Sequence, residues 1–305
     1  MIARKIFRLC VAAVAGASLI TGATTAASAG PLPVETSAAA PVLHKYLHFN
    51  MCGSKCMGGD LNVADDVINS INGSSPQPFA VTLNEVCRNQ YNHMFSTLTP
   101  YYGRFEVTVP GACKNGQDYG IAVLVRTADY TFHNAWTLPG GYEQRKMVCI
   151  RTADTGGGSQ PLIACSTHID YHSDVQAQQI AFVAARGREM WSGNHVLIGG
   201  DFNVEPTDSK LNPMYSPEHS GGSGIFNEAD TNGFSRTGGG AGSGYNEYTG
   251  GCIHWPCGYR ANDWKPTGKI DYIFLSRYDF TGYYGDTTYA LRSDHTPLWA
   301  WANYE

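Results

Sequence analysis

The chain has 305 residues, of which 43% are hydrophobic and 15% charged. Soluble proteins usually carry charge on about a quarter of their residues, so this chain is charge-poor, and its apolar content supports a core and excludes a wholly disordered protein. The formal net charge of −5 excludes a strongly basic nucleic-acid coat and a polybasic membrane anchor.

Residues 1–29 read as a signal peptide. Arg4, Lys5 and Arg8 form a positive start, an apolar stretch runs from Leu9 to Ile20, and Ala27-Ser28-Ala29 offers a cleavage site of small residues. The apolar run is shorter than the ~20 residues a membrane span needs, and Thr and Gly interrupt it. Cys10 lies ahead of the apolar core, which argues against a lipoprotein attachment site. Cleavage takes the formal charge from −5 to −8, since the segment carries three basic residues and no acidic ones. The expectation is export to the extracellular space.

Cleavage also leaves eight of the nine cysteines, an even number in an oxidising compartment. Close spacing suggests the pairs Cys52–Cys56 and Cys252–Cys257. Cys149 and Cys165 lie in two apolar segments joined by a Gly-rich turn, Thr155 to Ser159, and can face each other across a hairpin. Cys87 and Cys113 remain. Zinc is disfavoured, because the cysteines do not form paired C-x-x-C knuckles.

Residues 30–43 (GPLPVETSAAAPVL) are rich in Pro and Ala and read as a flexible lead-in. Residues 44–305 carry no linker or internal repeat and suit one large domain. Short apolar or β-branched runs predict strands at Lys45–Asn50, Phe79–Leu83, Gly120–Arg126, Met147–Arg151, Pro161–Thr167, His195–Gly199, Ile270–Leu275 and Pro297–Ala302. Several are almost continuously hydrophobic, as strands buried on both faces are. Asp60–Ile71 and Asp174–Trp191 have helical spacing, with Asp60 and Asp174 as N-caps and Val175, Gln179, Phe182 and Arg186 along one face. Strands mixed with helices predict an α/β protein. The loop Gly238–Gly244 has no assigned role.

Polar residues recur at the ends of the apolar strands, where ligand sites of α/β sheets form. They are Asn50 after KYLHF, Glu85 after AVTLN, His168 and Asp170 after LIACST, Asp201 and Asn203 after HVLIGG, Asp271 after GKI, and Asp294 and His295 before the last strand. Together they suit a hard cation and a phosphate. In GGDFN, Gly199 and Gly200 permit a close turn, and Asp201 and Asn203, two apart, point the same way. The competing reading of that segment is an Asx-turn that simply ends a strand. In SDHTP, a carboxylate beside an imidazole can serve metal and general base. A Glu at a strand end is as often merely solvated, and an isolated His168 is more often a hydrogen-bonded core residue.

The ordered set NMCG, TLNEV, STHID, GGDFNVEP, KIDYIFLS and SDHTPLWA resembles the motifs of the endonuclease/exonuclease/phosphatase superfamily over residues 44–303. The resemblance implies a four-layer α/β/β/α sandwich, two mixed sheets flanked by helices, and Mg²⁺-dependent hydrolysis of a phosphate ester, with Mn²⁺ or Ca²⁺ as other ions. By the same resemblance Glu85 is the principal metal carboxylate, with Asn50 beside it and Asp294 as the late metal aspartate. Asp201 positions or deprotonates the attacking water, and Asn203 holds a phosphate oxygen. His295 contacts phosphate and is oriented by Asp271, while His168 contacts phosphate and protonates the leaving oxygen. Tyr119 and Arg88 are substrate contacts.

Two departures stand out. Nucleases of the pancreatic type carry a Glu just before the middle strand to pair with the first histidine. Here the segment is Asp118-Tyr119-Gly120, so Asp170 or Asp118 would orient His168. These nucleases also tend to have Arg two residues after the metal Glu, where this chain has Cys87 followed by Arg88.

The implied function is a secreted, monomeric, Mg²⁺-dependent phosphodiester hydrolase without a stable protein partner. Its expected substrate is nucleic acid, which makes it a nuclease. A sphingomyelinase-like phospholipid phosphodiesterase or a phosphomonoesterase is the alternative. Arg88, Lys114, Arg145, Lys146, Arg260 and Lys265 are candidates for a local basic rim that offsets the negative charge. A lipid-directed enzyme would want an exposed apolar hairpin, and the Tyr-rich but polar segment Phe280–Tyr289 does not decide the matter. A serine hydrolase and a zincin lack their motifs, G-x-S-x-G and H-E-x-x-H. The His168-x-Asp170-x-His172 run lacks a second histidine cluster to complete a zinc site. The non-enzyme reading is a secreted carbohydrate-binding or adhesion domain, with Trp136, Trp255, Trp264, Trp299 and Trp301 as platforms. Alternation puts Trp299 and Trp301 on one strand face, which favours packing.

Overall fold

The computed structural model describes residues 43–153, 160–230, 268–288 and 291–305. The signal peptide, all of the lead-in but Leu43, the turn from 155 to 159, the loop from 238 to 244, Trp255, Trp264, Arg260, Lys265, and the Cys252–Cys257 pair lie outside the described residues. In chain order the elements are β1 (His44–Asn50), α1 (Asn62–Asn72), β2 (Ala80–Cys87), α2 (Arg88–Thr97), β3 (Tyr102–Val109), β4 (Tyr119–Val125), β5 (Tyr130–Thr137), β6 (Lys146–Thr152), β7 (Leu162–His168), α3 (Ser173–Met190), β8 (His195–Asp201), β9 (Phe226–Glu228), β10 (Asp271–Ser276), β11 (Phe280–Thr287) and β12 (Leu298–Tyr304).

The strands form two mixed six-stranded sheets, ordered β11-β12-β1-β2-β4-β3 and β5-β6-β7-β8-β10-β9. Alternation along each strand divides the core into three layers. Tyr46, Ile121, Val123, Val148, Ile150, Leu197, Ile273 and Leu298 fill the space between the sheets. Leu47, Phe49, Leu83 and Ala122 face outward and pack on α1 and α2 through Val63, Val67, Ile71 and Met94. Ile163, Cys165, Val196 and Ile198 face the other way onto Ile180, Val183 and Ala184 of α3. The result is the expected α/β/β/α sandwich.

Every strand read from the sequence is present, and each is an interior strand of its sheet. Among the described residues, the four further strands, β3, β5, β9 and β11, form the sheet edges. The segment Phe280–Thr287 is one of these edges, laid flat against β12, not a free hairpin.

Two helix readings need correction. Asp60 lies just outside α1, where its carboxylate accepts the Asn62 N–H at 2.7 Å, and Asp174 lies inside the first turn of α3, near the positive end of the helix. The buried face of α3 is Gln176, Gln179, Ile180, Val183, Ala184, Gly187 and Met190, so Val175, Phe182 and Arg186 flank the core instead of forming it. A polar residue was buried there because Gln176 and Gln179 bond loop backbone, a demand that hydrophobic spacing does not register.

Among the described residues, three disulfides join Cys52–Cys56, Cys87–Cys113 and Cys149–Cys165. The last links residues directly opposite on β6 and β7. The glycines of GGDFN lie within β8 and serve close packing more than turning. A Cβ at Gly199 would run into the Thr82 hydroxyl of the facing sheet, and one at Gly200 into the Thr167 carbonyl of β7.

Candidate functional site

Strand direction gathers the site. β1, β7 and β8 end at one rim, and β10 and β12, running the opposite way, begin there. Register places Asp201 beside His168 on one side and beside Asp271 on the other. Residues distant in sequence thus meet because neighbouring strands put their ends together.

Asp201 is the hub and is almost fully buried. Its Oδ1 accepts the Asn203 N–H at 2.9 Å, so the Asx-turn is real. Its Oδ2 remains directed into the site, where Asn50 Nδ2 donates to it at 3.1 Å. His168 Nε2 lies 3.5 Å from the same oxygen and His295 Nε2 3.7 Å. Asn50 Nδ2 also donates to Glu85 Oε1 at 3.2 Å. Asn84, one residue before Glu85, accepts the Asp201 N–H at 2.8 Å across the sheets. Glu85 and Asn203 both adopt left-handed backbone, with φ of 56° and 52°. The Glu85 value coincides with the β2–β4 register shift between Leu83 and Val86, which re-aims the side chain.

His295 Nδ1 meets Asp271 Oδ2 at 2.7 Å, and His48 Nε2 meets Asp271 Oδ1 at 3.1 Å. Burial alone would hold the His295 pKa down, but Asp271 first, with Asp201 and Asp294 behind it, raises it well above the usual histidine value. Burial likewise would raise Asp271, and the His295 charge and the bonds from His295 and His48 lower it to below the ordinary carboxylate range. The pair is therefore an ion pair whose Nε2 points at Asp201. Asp294 completes this side at 3.9 Å from His295 Nε2, with Lys55 at 3.5 Å from its other oxygen.

His168 sits against Arg145, whose Nη1 is 2.6 Å from Nδ1 and 3.0 Å from Nε2. A guanidinium has only donors, so the ring nitrogen facing it accepts. Arg145 is itself buried, and its Nε has no hydrogen-bond partner. Asn203 Nδ2 lies 3.5 Å from His168 Nε2 and donates to the Ile169 carbonyl at 3.0 Å. Tyr119 donates its O–H to Glu85; burial pushes the phenol pKa up and the Glu85 charge adds to this, so the phenol stays protonated.

Seven of the proposed residues, Asn50, Glu85, His168, Asp201, Asn203, Asp271 and His295, come together in this network, with Asp294 and Tyr119 at its margin. Asp170 does not orient His168. Its carboxylate closes the following turn instead, meeting the His172 N–H at 3.0 Å, His172 Nδ1 at 2.6 Å and the Tyr142 N–H at 2.9 Å. Burial would raise its pKa, and these bonds and Arg145 bring it down to about 2. Asp118 accepts from Arg88 and from the Gly111 N–H. Arg88 lies over the Phe105 ring at 4.3 Å, held by Asp118 at 3.3 Å, outside the hydrogen-bond network around Asp201. Asn50 turns its amide oxygen to the Cys52 N–H at 3.0 Å and its N–H groups to the carboxylates, so in this orientation it is a bridge between Glu85 and Asp201, not an oxygen ligand.

Two participants went unassigned in the sequence. His48 carries Asp271, and its signal was its place two residues before Asn50, on the same strand face. Arg145 stood among the rim cations, and only packing shows it buried at His168. Asp201, Asp271 and His295 have ligand atoms within 4.8 Å of one another, but the Asp271–His295 ion pair already occupies two of the three. Glu85, tied to Asp201 through the Asn50 amide, and Asp294, beside His295, are the carboxylates left for a hard divalent ion, which prefers oxygen ligands.

Residues 47–295 match the sequence profile of the Endonuclease/Exonuclease/phosphatase family. No curated protein matches the sequence at a significant level. Among solved structures, an endonuclease/exonuclease/phosphatase protein of Bacteroides vulgatus superposes with a TM-score of 0.61 at 18% identity, covering 87% of this chain and 100% of that one. TDP2 of D. rerio, complexed with a single-strand DNA product, gives 0.56 at 15%, covering 86% and 99%. The mannosyl-6-phosphatase of Bacteroides thetaiotaomicron gives 0.54 at 13%, covering 84% and 98%. These likenesses establish the fold.

Proposed function

Because the chain belongs to the endonuclease/exonuclease/phosphatase family, whose members hydrolyse phosphoric esters, we propose that it is a secreted, Mg²⁺-dependent phosphodiesterase acting on nucleic acid. The observation that carries this reading is the buried Asp201 Oδ2, reached together by Asn50, His168 and His295. A carboxylate so placed can hold and deprotonate a water between two imidazoles.

Family members depend on a divalent metal. Glu85 and Asp294 are the residues that would hold it, and the ion supplies charge neutralisation at the phosphate. The chain's own groups do the rest. Asp201 orients the water and takes its proton. The Asp271–His295 ion pair presents Nε2–H to a phosphoryl oxygen. Arg145, next to His168, adds a fixed positive charge and further donors for the phosphate. His168 supplies the proton to the leaving oxygen. Tyr119 donates to Glu85 and holds that carboxylate in place.

Nucleic acid is preferred over lipid because β11 is a paired edge strand and not an apolar hairpin, and because, among the described residues, the most exposed large aromatics are tyrosines. Export is supported by the signal-like start and by the three disulfides, which suit an oxidising compartment. N-terminal sequencing of the exported protein should begin after Ala29. The activity is tested on bis-p-nitrophenyl phosphate. Turnover should need Mg²⁺, vanish in EDTA, return with added Mg²⁺, and fall ~10²–10³-fold in Asp201→Asn. Undiminished turnover in EDTA, or a near-parental Asp201→Asn rate, would sink the assignment.

A further inference from the structure

Tyr142 and Tyr171 are the two most exposed large aromatic side chains among the described residues, at 69% and 63%. Both lie against one imidazole. The Tyr142 ring centroid is 4.0 Å from that of His172, with the planes inclined by 35°, and the Tyr171 centroid is 3.9 Å away, inclined by 33°. Two rings this close cannot share one face, so His172 lies between them and each tyrosine keeps an outer face open.

The stack is built to hold its shape. The buried Asp170 carboxylate ties down the Tyr142 N–H, the His172 N–H and His172 Nδ1. The Tyr142 hydroxyl donates to Asp174 at 3.0 Å, so this exposed ring is fixed at both ends. Core packing does not require that arrangement. A rigid exposed ring does suit a ligand, because little side-chain freedom is left to lose on binding.

Its position names the ligand. Asp170 follows His168 by two residues. Asn203 donates to the Ile169 carbonyl between them at 3.0 Å. Gln176 donates to the Asn203 carbonyl at 2.8 Å and to the Tyr171 carbonyl at 3.4 Å, joining stack and phosphate site through one side chain. We propose that the Tyr142–His172–Tyr171 stack is a nucleobase subsite, which receives a base of single-stranded nucleic acid beside the phosphodiester held at Asp201 and His168. The inference rests on the phosphodiesterase reading above. Flat π faces accept any base, so the subsite gives substrate class without sequence preference.

The experiment uses Tyr142→Ala, Tyr171→Ala and the double variant, all at exposed positions where folding should survive. Each is compared with the parent on bis-p-nitrophenyl phosphate, which has no base, on mannose 6-phosphate, and on a single-stranded deoxyoligonucleotide carrying 2-aminopurine. The double variant should lose about ten- to hundred-fold in kcat/KM on the oligonucleotide and stay within about two-fold on bis-p-nitrophenyl phosphate. In EDTA, which should stop turnover, parental protein should quench 2-aminopurine fluorescence and the double variant should not. Unchanged oligonucleotide cleavage and quenching would overturn the subsite while leaving the phosphodiesterase standing, as would equal losses on both diesters. Tyrosine-dependent hydrolysis of mannose 6-phosphate with no oligonucleotide cleavage would give the stack to a sugar ring and overturn the base. A parent inactive on both diesters would remove the phosphodiesterase reading and this one with it.

Discussion

Replacing Asp271 by Asn probes the centre of the site with almost no change in shape. Asp271 accepts His295 Nδ1 on one oxygen and His48 Nε2 on the other. Asn offers one acceptor and one donor. His48 can adapt, because its Nδ1 lies 3.0 Å from the Thr82 hydroxyl, which can donate or accept. The ring can then turn an acceptor to the new amide, and the fold should survive. His295 loses more. Burial opposes its charged form, and Asp271 is the largest influence favouring it. A hydrogen bond to a charged group contributes about 1.5–3 kcal/mol, and each ~1.4 kcal/mol is a factor of ten in rate. Turnover of bis-p-nitrophenyl phosphate in Mg²⁺ should therefore fall by about 10- to 150-fold. Melting followed by circular dichroism should drop by only a few degrees. A folded variant within about three-fold of the parental rate would refute the idea that Asp271 sustains a charged His295.

Gly199→Ala should destabilise by ~1–3 kcal/mol, read by urea unfolding, because its methyl group meets Thr82 between the sheets; it should also slow turnover, since Thr82 supports His48. Replacing Cys149 and Cys165 together by Ala opens a link spanning 16 residues and should cost about 3 kcal/mol, visible as a lower urea midpoint. The Asp170 pKa is depressed from 3.8 to about 2, so this carboxylate adds stability above pH ~4 that is lost as the pH falls towards 2. Asp170→Asn should flatten that part of the stability curve, and an unchanged acid slope would show that the turn is not held by the charge.

The interior of the fold was legible because interior strands are buried on both faces and read as unbroken apolar runs. The edges were not. YGRFEVTV and YTFHNAWT mix charge and polarity because one side of each meets water, and FNE is too short to carry a pattern. α2 was hidden for a similar reason: RNQYNHMFST buries only Gln90, Tyr91 and Met94. The site was readable where residues end strands, as with Asn50, Asp201 and His295. Partnerships between side chains of different strands were not, because nothing local links His48 to Asp271 across the sheets or Arg145 to His168 across neighbouring strands. The Asp170 assignment failed for a related reason. Proximity in sequence suggested His168, whereas the chain turns at Asp170 and spends its carboxylate on that turn.

Glu85 and Asn203 sit in backbone conformations that cost an ordinary residue roughly 1–3 kcal/mol each. Glycine would rest there without penalty. Breeding this protein for heat tolerance alone should therefore drift towards small residues at 85 and 203 and yield sturdier proteins that no longer work. A screen for durability has to reward turnover in every round, or it will discard two positions to which the proposed chemistry assigns a role.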